Sequence, residues 1–287
     1  MDVRSYSSAL SLGDDGIWYS DGAEQAVSFP VDGNEKFFSV EEKSFWFTHR
    51  NQCIASVVKA FQPPGNGPIF DIGGGNGFVS AGLFEEGFEV AVVEPGRTGA
   101  SNAKRRGLEH VICATTDAAA FKPQSLPAVG LFDVLEHVPD DAAYLRALNR
   151  LLIAEGRLYL TVPAYAFLWS EKDVLLGHFR RYALGDITHL LRSTGFHIDF
   201  ASYFFRFLPL PIFALRTVPY KLGLSRKETN AKNVYGDHAT KGGLGDRMVK
   251  TLLRPEVGLL AAKRPMSFGG SCLVVARRSA SAEESPY

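Results

Sequence analysis

Acids, glycines and histidines carry the chemistry open to this chain, and their spacing sorts them into three groups. The first is Asp71 followed by Gly73, Gly74, Gly75, Asn76 and Gly77. Glycine lets the backbone take turn dihedrals and lets a ligand approach with no Cβ in the way. A helix start just beyond offers unpaired N–H groups and positive partial charge. Together they make a cradle for a nucleotide-type ligand. The second is Glu94, nineteen residues after Gly75. A carboxylate there is placed to take both hydroxyls of a ribose, because it accepts two O–H bonds at once. The third is His137 together with the later run Gly177-His178-Phe179-Arg180-Arg181-Tyr182, preceded by Asp173. Histidine is the side chain best able to take a proton near neutral pH, and an acid such as Asp173 can orient it. An adjacent arginine suits an acceptor bearing carboxylate or phosphate. Blander readings stand beside these: His137 satisfied by a carbonyl, one arginine tying its loop to a backbone carbonyl or to Asp173, and Tyr182 packing.

The elements that must position these groups follow from periodicity. Pro68-Ile-Phe-Asp-Ile is a buried strand running into the glycines, and a helix starts at Phe78 and stops at Gly87. Glu89–Glu94, His110–Thr116, Val129–Pro139 and Gly156–Pro163 read as further strands, with helices between them. Asp140 caps the helix carrying Leu145, Leu148 and Leu152. The strand of Phe196–Phe205 and a last one at Ser271–Arg278 complete seven. Ahead of them all, Ser39 and Glu42 form a capping box that opens a helix carrying Trp46, Arg50 and Ile54 and ending at Pro63-Pro64. Residues 1–36 read as a loosely ordered arm. Alternating strands and helices predict a doubly wound, mostly parallel α/β sheet, whose ligands sit beyond the carboxyl ends of the strands.

The dinucleotide fingerprint needs glycines at positions one, three and six, and here the sixth position is Phe78. The spacing Asp71-x-Gly73-x-Gly75-x-Gly77 instead resembles motif I of the class I S-adenosylmethionine-dependent methyltransferases, and the chain is similar to those of the type 11/12 and ubiquinone-biosynthesis kinds. The resemblance runs from about Glu42 to Arg278 and is strongest over residues 68–96. It implies a seven-stranded sheet with a reversed last strand, and methyl transfer from S-adenosylmethionine as cofactor to an O, N or C nucleophile of a small-molecule or lipid- or glycan-like acceptor. It also implies cofactor contacts at Asp71, Gly73, Gly74, Gly75, Asn76, Gly77, Glu94 and Pro95. Thr116 and Asp117 would lie at the adenine, with Asp133, Val134 and Leu135 at the fourth strand's end. An N-terminal lid would bring Trp46 and Arg50, the latter facing the methionine carboxylate. Trp169, Ser170, Asp173, Gly177, His178, Arg180, Arg181 and Tyr182 match an acceptor-side segment of similar methyltransferases. His178 is then the candidate base, Asp173 and Arg180 position it or the acceptor, and His137 is the second candidate.

Composition narrows the partners. Lys plus Arg equals Asp plus Glu at 31 each, so no global field draws the chain to nucleic acid or an anionic membrane. Cys53, Cys113 and Cys272 are far apart and show no metal spacing, which suits a reducing cytoplasm. The first residues lack a signal peptide pattern, and no run reaches the ~18 apolar residues of a membrane span. The domain reading is an arm and lid over 1–62, a cofactor-binding core over 63–205 and 269–280, and an insertion over 206–268 covering the acceptor side. Apolar Leu208–Leu215 in that insertion would pack down as core or dimer surface, wall a lipid-like or small-molecule acceptor, or touch a membrane peripherally; 225–245 reads as mobile surface. Two other functions fit the same layers: a nicotinamide-dependent oxidoreductase, and a binding domain that has lost its chemistry.

Overall fold

The computed structural model describes residues 1–20, 33–224 and 244–279. Among them nine strands form one sheet: β1 (Leu10–Leu12), β2 (Trp18–Ser20), β3 (Ile69–Ile72), β4 (Val90–Val93), β5 (His110–Cys113), β6 (Leu126–Phe132), β7 (Leu152–Pro163), β8 (Phe196–Phe204) and β9 (Ser271–Arg278). Their order is β1-β2-β5-β4-β3-β6-β7-β9-β8. The seven expected strands are its body, parallel throughout except β9, which runs antiparallel to both β7 and β8. Strand order reverses between β3 and β4 on one side and β6 on the other, which is where a doubly wound sheet opens a crevice for ligand. β3 and β4 are buried at every residue, as a strand covered by helices on both faces must be.

The two extra strands come from the segment expected as a loose arm. β1 and β2 pair antiparallel, and β2 adds parallel to the β5 edge. Ile17 and Leu10 are buried there, so the edge is closed by chain that carried no periodic signal.

Helices α1 (Gly33–Phe38), α2 (Phe45–Ala60), α3 (Phe78–Glu85), α4 (Arg97–Arg105), α5 (Asp141–Leu151), α6 (Glu171–Leu175) and α7 (Leu184–Ser193) fill the connections. The capping box at Ser39 does not open α2, which begins at Phe45 behind Ser44. Glu41 and Glu42 instead pair with Arg106, at 2.7 and 2.9 Å. Asp140 caps α5 as expected, its Oδ1 accepting from the Ala143 amide at 2.8 Å.

Within 206–268, short helical turns from Pro209 to Lys221 leave Leu210 and Leu215 about three-quarters exposed, at 73% and 75%. The C-terminal helix Leu244–Ala261 behaves differently. Its Leu253 and Leu260 are buried in the cluster that holds Ile54 and Val57 of α2. The proposed mobile stretch at 225–245 lies outside the described residues save for its last two. No described helix is long and apolar enough to cross a membrane.

Candidate active site

The end expected to hold the cofactor is built by the turn between β3 and α3. Gly73, Gly75 and Gly77 all have positive φ, at 69°, 53° and 71°. A Cβ on Gly73 would meet Val134 Cγ2 at 2.7 Å, and one on Gly77 would meet Leu108 Cδ1 at 2.7 Å. The turn therefore needs glycine twice over, for dihedral and for room. Asp71 lies beneath it, fully buried, accepting from Ser80 Oγ at 2.6 Å. Burial pushes its carboxyl up to about 6, against the Ser80 hydrogen bond and the charge of Arg50.

Glu94 follows β4 and faces the turn. Its two oxygens accept the amides of Gly75 at 3.0 Å and Gly96 at 2.8 Å. Each carboxylate oxygen has a second lone pair, so beyond these amides the group can accept two more donors, of which the Asn34 side chain is one. Burial raises Glu94 to about 7 despite those two amides. Asn34 of α1 also bonds its side chain. No sequence signal marked Asn34, which reaches Glu94 only because Asn76 and Arg106 hold α1 and the turn after it in place.

Other expected contacts divide. Asn76 is spent on structure: its amide donates to Asn34 O and Glu41, and its oxygen accepts from Asn102. Trp46 is not a loose lid residue but stacks on Phe205 with ring centroids 4.1 Å apart. Arg50 is buried with Nε 2.7 Å from Asp133 Oδ2. Its guanidinium thus pairs with an acid of the chain, and its charge also reaches Asp71, Glu41 and Glu136. Pro95 sits beside Glu94, its carbonyl accepting weakly from Cys113 Sγ at 3.6 Å. Thr116 is buried against the Tyr144 hydroxyl at 3.0 Å, while Asp117 is exposed. Val134 packs on the glycine turn, and Leu135 is core.

The end expected to take the acceptor is built by the residues after β6 and β7. Asp133 has φ of 55° and receives Thr161 Oγ1 at 3.0 Å. Glu136 is buried, and its Oε2 has no hydrogen-bond partner. Burial, and then the charge of Asp133, push it well above the usual carboxylate range. Phe179 N donates to the Glu136 carbonyl at 2.7 Å, stitching the loop after β7 to the end of β6. The rings of His137 and His178 therefore meet edge-on, 4.8 Å between centroids. Burial and the neighbouring His178 hold His137 down at about 4, so it is neutral at physiological pH.

Asp173 organises this loop. Its Oδ1 takes His178 Nδ1 at 2.9 Å and Arg181 Nε at 2.7 Å, and its Oδ2 takes Ser170 N and Oγ. Burial works against its charge, but His178 and Arg181 prevail and hold it down at about 2. Arg181 also reaches the Ala164 carbonyl at 3.2 Å. The expectation for Arg180 is corrected: it pairs with Asp141 at 2.6 Å and with the Pro139 carbonyl, clamping the loop to α5. Tyr182 is buried and donates to the same Asp141 at 2.9 Å. Beyond β7, Tyr165 stacks between Phe167 and Tyr203, at 5.1 and 4.9 Å.

Comparison with known proteins identifies the family. Residues 46–199 match the methyltransferase-domain family, more than half of the chain. A ubiquinone biosynthesis O-methyltransferase of Xanthomonas oryzae pv. oryzae is 32% identical over 99 residues, which are 32% of this chain and 41% of that protein. The match thus spans under half the length of that relative. A possible histamine N-methyltransferase of Thermotoga maritima superposes with a TM-score of 0.53 at 18% identity, covering 87% of this chain and 96% of that one. Phosphoethanolamine N-methyltransferase 2 of Haemonchus contortus, solved with S-adenosyl-L-methionine, gives 0.54 at 16% identity, covering 91% of this chain and 62% of that one. At such identities the two structures speak to fold alone.

Proposed function

We propose, from the premise that this chain belongs to the class I S-adenosylmethionine-dependent methyltransferases, that it methylates an oxygen of a small, largely apolar acceptor held beyond the ends of β6 and β7. The nicotinamide alternative falls with that family membership, and so does a domain without chemistry.

When bound, S-adenosylmethionine supplies an already activated sulfonium methyl group. The residues present fit such a group: glycine gives the cradle where a Cβ would clash, and Glu94 keeps acceptor capacity open beside it. What remains for the protein is alignment, exclusion of water, and care of the acceptor's proton. In this reading Glu94 fixes the ribose, Asp71 braces the turn through Ser80, and Arg50 with Asp133 closes the space between the two ends. Asp173 orients His178, and His137 and His178 face the acceptor hydroxyl, whose proton leaves at that end.

The observation that carries the reading is the meeting of His137, His178 and Glu136 beyond the strand ends. An amine arrives with a lone pair once neutral, whereas a hydroxyl gains most from help with its proton. The aromatic wall of Tyr165, Phe167, Tyr203 and Phe268 supports an apolar or aromatic acceptor. Phe213 lies 6.0 Å from Phe167, so the turns after Pro209 extend that wall, and we assign residues 206–224 to the acceptor side. The O-methyltransferase name of the curated relative points the same way.

The test is transfer of a labelled methyl group to a panel of phenols, catechols, aliphatic alcohols and amines, with products identified by mass spectrometry. An O-methylated phenol or catechol is expected as the best product. Label confined to amines, or to added protein or nucleic acid, contradicts the reading.

A further inference from the structure

We infer that Asn34, carried on α1, is the second half of the ribose site: its amide oxygen accepts one ribose hydroxyl of the cofactor while Glu94 accepts the other. The inference rests on the reading of Glu94 given above, and it adds a residue that the glycine turn and the strand-end acid leave out.

A carboxylate offers about four lone-pair sites. Glu94 spends two of them on the amides of Gly75 and Gly96, at 3.0 and 2.8 Å. The Asn34 side chain takes a third. One is left, and a ribose presents two neighbouring hydroxyls. The pair therefore needs a second acceptor beside the carboxylate.

Asn34 supplies it. Only the nitrogen of an asparagine amide can donate to a carboxylate, so the bond to Glu94 fixes which way the group lies and leaves Oδ1 to accept. That oxygen borders the cradle. Among the described residues beyond its chain neighbours, a Cβ on Gly75 would come within 4 Å of Asn34 Oδ1 alone, at 3.6 Å. The amide oxygen thus edges space that the chain does not fill.

The side chain is held there from two directions. Its own backbone carbonyl accepts from Asn76 Nδ2, in the glycine turn, at 2.8 Å. Arg106, just past α4, donates to the Asn76 carbonyl at 2.9 Å and to Glu41 and Glu42 at 2.7 and 2.9 Å. Its guanidinium also covers the ring of Phe38, the last residue of α1. α1 is fastened to the cradle at its start and beyond its end.

Room is kept for the amide as well. Gly99 lies in the first turn of α4, is buried, and has no left-handed dihedral that calls for glycine. A Cβ there would stand 2.6 Å from Asn34 Nδ2, 2.8 Å from Glu94 Cγ and 3.0 Å from the Gly75 carbonyl. The three parts of the corner meet at that one point. A site whose acceptors are set out for two hydroxyls rejects an analogue lacking one of them, because an acceptor is then left unpaired.

The experiment titrates the full chain by calorimetry with S-adenosylhomocysteine and with its 2′-deoxy and 3′-deoxy ribose analogues. Wild type, Asn34→Ala, Glu94→Ala and, as a control on α1, the exposed Glu35→Ala are compared, with thermal unfolding of the ligand-free variants showing that each is folded. Asn34→Ala keeps the carbonyl that Asn76 holds, so it removes the amide alone. We expect it to weaken S-adenosylhomocysteine roughly tenfold, the worth of one hydrogen bond. It should also lose most of the wild type's preference for the full ribose over one of the two analogues. Glu35→Ala should bind all three as wild type does. A merely structural Asn34 would weaken all three ligands alike and leave that preference intact, which overturns the proposal. So does an Asn34→Ala that binds as tightly as wild type, or more tightly, the mark of a side chain that plugs the site. So does a Glu35→Ala that copies Asn34→Ala. In each of these cases a weakened Glu94→Ala leaves the reading of Glu94 standing. Wild-type binding of all three ligands by Glu94→Ala instead removes that reading, and the role of Asn34 with it.

Discussion

Two ends of one sheet edge reach sharp turns by different means. At the cofactor end the positive-φ positions are Gly73, Gly75 and Gly77. At the acceptor end the residues just beyond β6, β7 and β8 are Asp133, Tyr165 and Phe205, with φ of 55°, 57° and 61°. Glycine adopts such dihedrals without penalty, whereas a side chain there costs of order 1–3 kcal/mol and persists only where the surroundings enforce it. Here they do: Asp133 is held by Arg50 and Thr161, Tyr165 by its ring stack, and Phe205 by Trp46. The acids differ in the same sense. Glu94 is tethered by two amides, whereas Glu136 retains an oxygen with no partner. One end is a settled cradle for a fixed ligand, and the other holds unspent chemistry for a reacting one.

The largest effect should come from the acceptor end. His178→Ala is expected to cut turnover with an accepted hydroxyl substrate by ~10²–10⁴-fold, the span typical of losing help with a proton. Near-normal turnover across pH would make His178 structural and move the test to His137. Asp173→Asn is next. It leaves Arg181 and His178 without their buried partner, and breaking such a pair costs about 3–5 kcal/mol, read from denaturant unfolding. A cost under about 1 kcal/mol would show that Ser170 and the backbone hold the loop without it.

The contrast also explains what the sequence disclosed. The seven strands follow from runs of apolar residues and from a turn written in glycines, whereas the reversed β9 was implied only by the family resemblance. Glu94 was legible because its distance from the cradle is fixed by one strand–helix–strand unit. The acceptor end was legible only in part. Asp173 and His178 are five residues apart and were found as a pair, but the approach of His178 to Glu136 depends on a bond from Phe179 across 43 residues of chain. Arg180 looked like an acceptor contact because an arginine beside a histidine reads the same whether it faces ligand or Asp141. β1 and β2 were missed because three-residue strands carry too little periodicity to stand out from loop.

Smaller effects belong to the cofactor end. Glu94→Ala should weaken S-adenosylhomocysteine by ~1–3 kcal/mol in calorimetry, the range for removing a charged hydrogen-bonding group. Because burial holds Glu94 at about 7, its accepting, ionised form is lost as pH falls through that value. Affinity should therefore drop about tenfold from pH 8 to pH 6, and Glu94→Gln should flatten the profile. A pH-independent wild type would mean that the ribose does not use this carboxylate. Asp117 is exposed, and Asp117→Ala is expected to change affinity by no more than about 1 kcal/mol, the net worth of one ordinary hydrogen bond.

The division between the two ends is tested most directly by one paired titration of S-adenosylhomocysteine into Glu94→Ala and Glu136→Gln. Loss of affinity in Glu94→Ala with wild-type affinity in Glu136→Gln is the predicted result. Equal loss in both would mean that the two ends form a single cofactor site, and the acceptor end described here would have to be sought elsewhere.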